Sequence, residues 1–291
     1  MKRPPLEAPR LVLGVASLAL PVRATRDRQL EIANRFEESE SLAVALVKGV
    51  AAGAEAVLAP PTQDVHDALA ELPKPLPILA RVPHLWPADD LLWEPALFFD
   101  PGEDNGANGW DAKRAGAAAM NLLPMGLAGD LASRVLPRIE REALQFNAKA
   151  LRGIIVSSVV TDLALAANQP KFIDRLVRFA RQRRWLVGVE TRNLGHLLAR
   201  LDAWGVAPDM VFGPVNPRGV GMMPDSQSVL TAMASSQVKV IATELRAGGM
   251  VALHEGAEWA RRHGAWGVCA ELVDMDDVPK ELKGLLVRPA A

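Results

Sequence analysis

A chain of 291 residues, 49% hydrophobic and 23% charged with a net charge of −1, has the composition of a soluble enzyme with one extensive core. That balance gives no electrostatic reason to expect nucleic acid or an anionic membrane as a partner, and no apolar run approaches the roughly 20 residues needed to span a bilayer. The single cysteine, Cys269, excludes an intramolecular disulfide and a thiolate-rich metal site.

In chain order, the first apolar run, Leu11–Ser17, follows Lys2, Arg3 and Arg10. With the apolar stretch after it and Val22-Arg23-Ala24, it has the outline of a secretory signal. The same residues read as a first strand, and removing them would leave a set of seven. Strand is therefore the expectation, and cytoplasmic placement the default. Further strand candidates are Ala56–Pro60, Leu76–Val82, Gly153–Val159, Trp185–Glu190, Met210–Val215, Val238–Glu244 and Gly267–Leu272. All are short and rich in Val, Ile and Leu, as expected for parallel strands buried on both faces.

Helical patterns separate them. Ser39–Gly53 begins with a Ser/Glu-rich turn and ends at glycine. Thr62–Leu72 has Thr62 as N-cap, and Lys171–Arg184 puts Phe172, Leu176 and Phe179 on one face. Arg181, Arg183 and Arg184 at its end complement the helix dipole. Leu194–Trp204, Ser226–Ser235 and His254–His263 follow the same rule.

Alternating strands and helices predict a single-domain (β/α)8 TIM barrel over residues 1–291, since such barrels take roughly 250 residues. One segment exceeds the repeat. Residues 84–150 form an elaborated crossover between strands three and four, with a loop over the barrel mouth. It opens with His84-Leu85-Trp86-Pro87 and contains the acidic, glycine-rich stretch Phe98–Gly109. It ends in a helical pattern, Asp130–Lys149. Trp86, Trp93 and Trp110 either pack this lid over an apolar ligand or form a small satellite core. Asn121–Gly126 is a ninth strand candidate that Pro124 opposes.

In such barrels the reacting groups sit at the C-terminal ends of the strands. Glu190, Glu244 and Glu271 fall there. A carboxylate is costly to bury unpaired, so each must meet a cation, a metal or a hydrogen-bonding ligand. Glu190 and Glu244 are the acid/base candidates. Arg81, Arg218 and Arg246, with Asn216 and Glu271, are the substrate-binding candidates. A guanidinium fork matches carboxylate or phosphate, although the same arginines could simply neutralise the glutamates. His84 with Glu190 and Glu244 would offer one nitrogen and two oxygens to a divalent metal.

Other candidates are weaker. The Gly248-Gly249 turn could present N–H groups to a phosphate, or be a plain turn. Ser157-Ser158 lacks the strained Gly-x-Ser-x-Gly turn of a serine nucleophile. Lys239 lies at the start of its strand and Lys171 near the start of a helix, so neither suits a Schiff base. Cys269 lies within an apolar strand and is expected to be buried packing. His66, His196, His254 and His263 are expected at the surface.

The second half of the chain carries a resemblance. WLVGVETRNLGHLLARL, PDMVFGPVNP, VKVIATELRAGG and GVCAELVDMDDV follow one another in a pattern that resembles the aldo/keto reductase barrel. Gly188-Val189-Glu190-Thr191 stands where that family has a Gly-Val-Ser-Asn type ending. Asn216-Pro217 stands in its Gln…Asn-Pro element, and Thr243-Glu244-Leu245-Arg246 in its Ser-Pro-Leu-Gly type turn. The resemblance covers roughly the last 140 residues at the level of fold. It implies an NAD(P)-dependent reductase with a tyrosine acid assisted by aspartate, lysine and histidine. This chain has no tyrosine. Strands two to four end in Pro60-Pro61, Arg81-Val82-Pro83 and Ser157-Ser158 instead. Asp274, Asp276 and Asp277 would repel the cofactor's 2′-phosphate, so NAD(P) is disfavoured.

Three functions remain open. The first is an enzyme that moves protons with Glu190 and Glu244 on a small anionic metabolite, as a lyase, isomerase or hydrolase, with a divalent metal as an optional aid. The second is a divergent aldo/keto-reductase-like oxidoreductase. The third is a non-catalytic ligand-binding or interaction barrel. The expected partner is a small molecule; a homodimer is compatible with the sequence, which does not set the oligomeric state.

Overall fold

The computed structural model describes residues 7–15, 34, 36, 39–84, 131–272 and 278–285. Eight strands close a parallel barrel in chain order. They are β1 (Leu11–Gly14), β2 (Ala56–Ala59), β3 (Ile78–Val82), β4 (Leu151–Val156), β5 (Leu186–Glu190), β6 (Met210–Pro214), β7 (Lys239–Thr243) and β8 (Gly267–Glu271). β1 pairs with β8 through Leu11–Val268 to Gly14–Glu271, which closes the ring. The helices around it are α1 (Ser39–Ala51), α2 (Gln63–Ala70), α3 (Leu131–Ala143), α4 (Ser158–Ala166), α5 (Pro170–Gln182), α6 (Leu194–Trp204), α7 (Ser226–Ser235), α8 (Leu253–Arg262) and α9 (Val278–Leu285). Among the described residues no helix is long and apolar enough to cross a membrane.

All eight predicted strands form, most of them shorter than predicted by a residue or more. The fourth shows the one substantive difference. Predicted to run to Val159, β4 stops at Val156, and Val159 and Val160 lie in α4 instead. Their β-branched side chains read as strand, but Thr161 Oγ1 bonds back to the Ser157 carbonyl and its N–H bonds to the same oxygen at 3.1 Å, turning the chain into a helix. Thr62 does precede α2, yet its side chain makes no cap hydrogen bond. α9 has no counterpart in the sequence prediction. The signal-like residues 16–24, the segment 85–130 with its tryptophans and candidate ninth strand, and Asp274–Asp277 lie outside the described residues.

Two separate cores follow from the period-two alternation of strand side chains. Val12, Ala56, Leu58, Leu79, Ile155, Leu186, Met210, Phe212, Ile241 and Cys269 form one cluster, drawn from every strand and no helix. It is the barrel interior. The alternate residues, such as Leu13, Val57, Ala80, Val156, Val189, Val211, Ala242 and Val268, pack outward with the helix faces. The N-terminal end is plugged by Ala8 and Trp266, whose indole N–H donates to the Ala8 carbonyl at 3.1 Å. Arg10 and Lys239 each lie 4.0 Å from the Trp266 ring.

α8 packs backbone to backbone on the turn after β7: a Cβ on Gly256 would overlap the Leu245 carbonyl. Gly256→Ala should therefore destabilise the protein by about 1–3 kcal/mol through overpacking. That outweighs the gain of up to about 1 kcal/mol from alanine's helix propensity. Urea denaturation checks this; an unchanged or raised midpoint would show that the close approach is not rigid.

Candidate active site at the C-terminal rim

Extending the inward face of each strand by two residues gives the rim. From the interior cluster, Val12 leads to Gly14, Leu79 to Arg81, Ile155 to Ser157, Ile241 to Thr243 and Cys269 to Glu271. On β5, Leu186 leads through Gly188 to Glu190. The rim is therefore polar where the layer below it is apolar.

Arg81 and Glu190, on the two strands that flank β4, are brought together. Arg81 Nε donates to Glu190 Oε2 at 2.7 Å, with side-chain exposures of 7% and 25%. Glu190 Oε1 has no hydrogen bond among the described residues. Glu271 approaches from β8. Its carboxylate lies against the Cα of Gly14, where any Cβ would overlap it, and its Oε1 is 4.0 Å from the Cys269 sulfur. Burial pushes the Cys269 thiol well up from its ordinary value, and the charges of Glu271 and then Glu190 push it further. Cys269 is buried, as its apolar surroundings predict.

The other predicted residues are spread along the rim. His84 follows β3 and is buried. Its N–H donates to Glu142 Oε2 at 2.6 Å and its carbonyl accepts from Arg138 at 2.9 Å, while Arg138 and Glu142 pair at 2.7 Å along α3. Sequence reasoning missed this clamp, although Arg138 and Glu142 stand at the i,i+4 spacing of a helical ion pair. Asn216 is fully buried and holds the loop after β6. Its Oδ1 accepts from the N–H groups of Arg218 and Val220, and its amide donates to the Val220 carbonyl at 2.8 Å. The Arg218 side chain is exposed.

Glu244 is not brought to the same place. It is exposed, with φ of 53°, so the chain leaves the strand alternation there. Arg246 is partly buried beyond it. The Gly249 N–H, a prospective phosphate donor, bonds to the Arg246 carbonyl at 2.9 Å. His84, Glu190 and Glu244 do not converge on a metal. Among the described residues no three His, Cys, Asp or Glu side chains gather around a common point. His196, His254 and His263 are exposed as expected, whereas His66 is partly buried, its ring 4.8 Å from that of Phe146.

Beside the rim, Asp162 on α4 ties down the loop after β5. It accepts from the Thr191 hydroxyl and from the Arg192 N–H at 3.1 Å. Desolvation raises its pKa from the ordinary aspartate value, against the lowering by these hydrogen bonds and by the Arg192 charge. It lines an outer groove of about 490 Å³ with Asn193, His196 and Arg200.

No protein-family model matches the chain, and no curated protein matches it. Among solved structures it is similar to the N-acetylmannosamine-6-phosphate 2-epimerase from Clostridium perfringens, at 12% identity and TM-score 0.40, covering 91% of this chain and 87% of that one. It is similar to QR15, an aldolase, at 12% identity and TM-score 0.45, covering 86% and 91%. A third is thiamine phosphate pyrophosphorylase from Pyrococcus furiosus, at 13% identity and TM-score 0.37, covering 95% and 93%. Likeness at this level carries no argument about chemistry, and the barrel rests on its own strand order.

Two outcomes follow from the geometry. Gly14→Ala should cost about 1–3 kcal/mol by displacing the Glu271 carboxylate, and most of that cost should vanish in a Glu271→Ala background; additive effects in the four-variant denaturation cycle would place the carboxylate elsewhere. Because the Asp162 pKa is raised in the folded state, the folded protein binds its proton more tightly than the unfolded chain. Stability from this group therefore grows as the pH falls from the folded pKa toward the unfolded value near 3.9. Wild type should gain stability relative to Asp162→Asn on acidification, as read by urea denaturation at a series of pH values; a constant difference would refute the shift.

Proposed function

We propose that the protein is a barrel enzyme acting on a small anionic metabolite by carboxylate acid–base chemistry at the C-terminal rim. Glu190 is the proton-moving group and Arg81 its positioning partner. The observation that carries this reading is the Arg81–Glu190 pair at the rim, in which Arg81 is fixed on one oxygen of Glu190. A guanidinium held through Oε2 restrains the carboxylate and leaves Oε1 to accept or return a proton. Glu271, seated on Gly14, is the inward-facing carboxylate that ends β8. It is a better partner for Glu190 than Glu244, which is exposed in the turn after β7. Proton transfer of this kind serves an isomerase, a lyase or a hydrolase.

A second reading has one observation in its favour. The Arg81–Glu190 pair satisfies itself at 2.7 Å, as it would in a barrel that binds a ligand without turning it over.

Screening phosphorylated sugars and 2-oxo acids by thermal shift, then following each ligand by proton NMR in deuterated water, separates the two. The enzyme reading expects turnover or deuterium exchange, lowered about 10²–10⁴-fold by Glu190→Gln. Glu271→Gln should be more damaging than Glu244→Gln. Full activity in Glu190→Gln sinks the assignment, and binding with neither turnover nor exchange leaves the non-catalytic barrel. Saturable quenching on titration with NADPH would instead favour the aldo/keto-reductase-like oxidoreductase.

A further inference from the structure

We propose that the N-terminus of α4, together with the Ser157 hydroxyl, forms a phosphate subsite beside Glu190, so that the ligand of this barrel carries a phosphoryl group. The proposal rests on the rim being the ligand site, as argued above.

The placement follows from the strands. Ser157 N–H donates to the Val82 carbonyl at 3.0 Å, so the β3–β4 ladder continues one residue past the strand. The β4–β5 register runs from Gly153–Leu186 to Val156–Val189, and its next step sets Ser157 opposite Glu190. Both stand on the inward face, one strand spacing of about 4.8 Å apart.

α4 begins at the next residue. The N–H groups of its first turn have no carbonyl before them within the helix; the Thr161 N–H is the first to find one, on Ser157. A serine in the N-cap position ordinarily accepts from this turn. Ser157 has the extended backbone of a cap, with φ of −58° and ψ of 151°, yet makes no such bond. No acidic residue lies in the first turn either.

The second observation is the burial of that unpaired hydroxyl. Ser157 is 1% exposed, and its hydroxyl has no hydrogen-bond partner among the described residues. A buried hydroxyl left unpaired is destabilising, and this one lies on the barrel's inward face at the head of a helix whose dipole favours an anion. A phosphoryl group brings three acceptor oxygens to those N–H groups and to the hydroxyl. The adjacent carboxylate is not a bare charge, because Arg81 holds it.

Inorganic phosphate titrated into the full-length protein, followed by calorimetry, tests the subsite. Saturable one-to-one binding is expected in wild type. It should weaken at least tenfold in Ser157→Asp, whose carboxylate would cap the helix and repel the anion. If that variant does not fold, Ser158→Pro replaces it. Proline fits the first helical position and removes one donor, and the extended backbone of Ser157 is the one a following proline requires. Absence of saturable binding, or wild-type affinity in the folded variant, overturns the proposal. Glu190→Gln should retain phosphate or bind it more tightly. Phosphate lost in Ser157→Asp while Glu190→Gln turns over normally would uphold the subsite and defeat the acid–base reading. Turnover lost in Glu190→Gln with phosphate binding indifferent to Ser157 would do the reverse.

Discussion

Closing eight parallel strands into a ring leaves neither face of the sheet in water, and the other features of this molecule follow from that constraint. Every strand residue must be apolar or paired, inward against the other strands or outward against the helices. The strands accordingly run for only four to six residues, and polar groups can appear only where they end. At the lower end Trp266 and Ala8 fill the opening. At the upper end the same inward positions that carry Val12, Leu79 and Cys269 below carry Gly14, Arg81 and Glu271 above. The rim is polar because the strands run out there.

That constraint also explains why charges can be tolerated so close to the core. Arg81, only 6% exposed, would be unaffordable alone, and Glu190 supplies its counter-charge at 2.7 Å. Breaking such a buried pair from one side strands the other charge. The two residues are therefore a unit, on the two strands that flank β4. Ser157 stands on that intervening strand. The rim then has an internal order: a paired cation and carboxylate, between their strands a hydroxyl with no partner among the described residues, and a second carboxylate on β8. The small residue at Gly14 belongs to the same arrangement, since it provides the space that Glu271 occupies.

Most of the fold was legible because buried parallel strands have a local signature. VLA in β2 and KVIAT in β7 need no partner to be recognised as apolar β-branched runs, and α6 and α7 begin and end where their patterns predict. The prediction failed at Ser158-Val159, where the residues favour extension and the structure is helical. Two valines add strand propensity, but the turn is decided by bonds to Ser157 and by packing on β5, neither of which is a local property. α9 was missed for a related reason, since it contains only a short apolar pattern and packs late against α1 and α8.

The site was legible in position and less so in membership, and the period-two rule accounts for the difference. A strand-end residue faces inward only if the alternation persists to it. It persists to Arg81, Glu190 and Glu271, which therefore face inward at the rim, the first two paired. At Glu244 the backbone enters the left-handed region, with φ of 53°, and the alternation stops. Its neighbour Thr243 is on the inward parity of β7, through Ile241, and Glu244 is exposed. A sequence shows that a glutamate ends a strand, but whether the strand geometry still holds at that residue depends on the turn that follows. For β7 that turn is fixed by Ala247 bonding back to the Glu244 carbonyl and by Gly256 of α8 closing on Leu245. The membership of the rim is thus decided by a contact well downstream, through Gly256 in a helix.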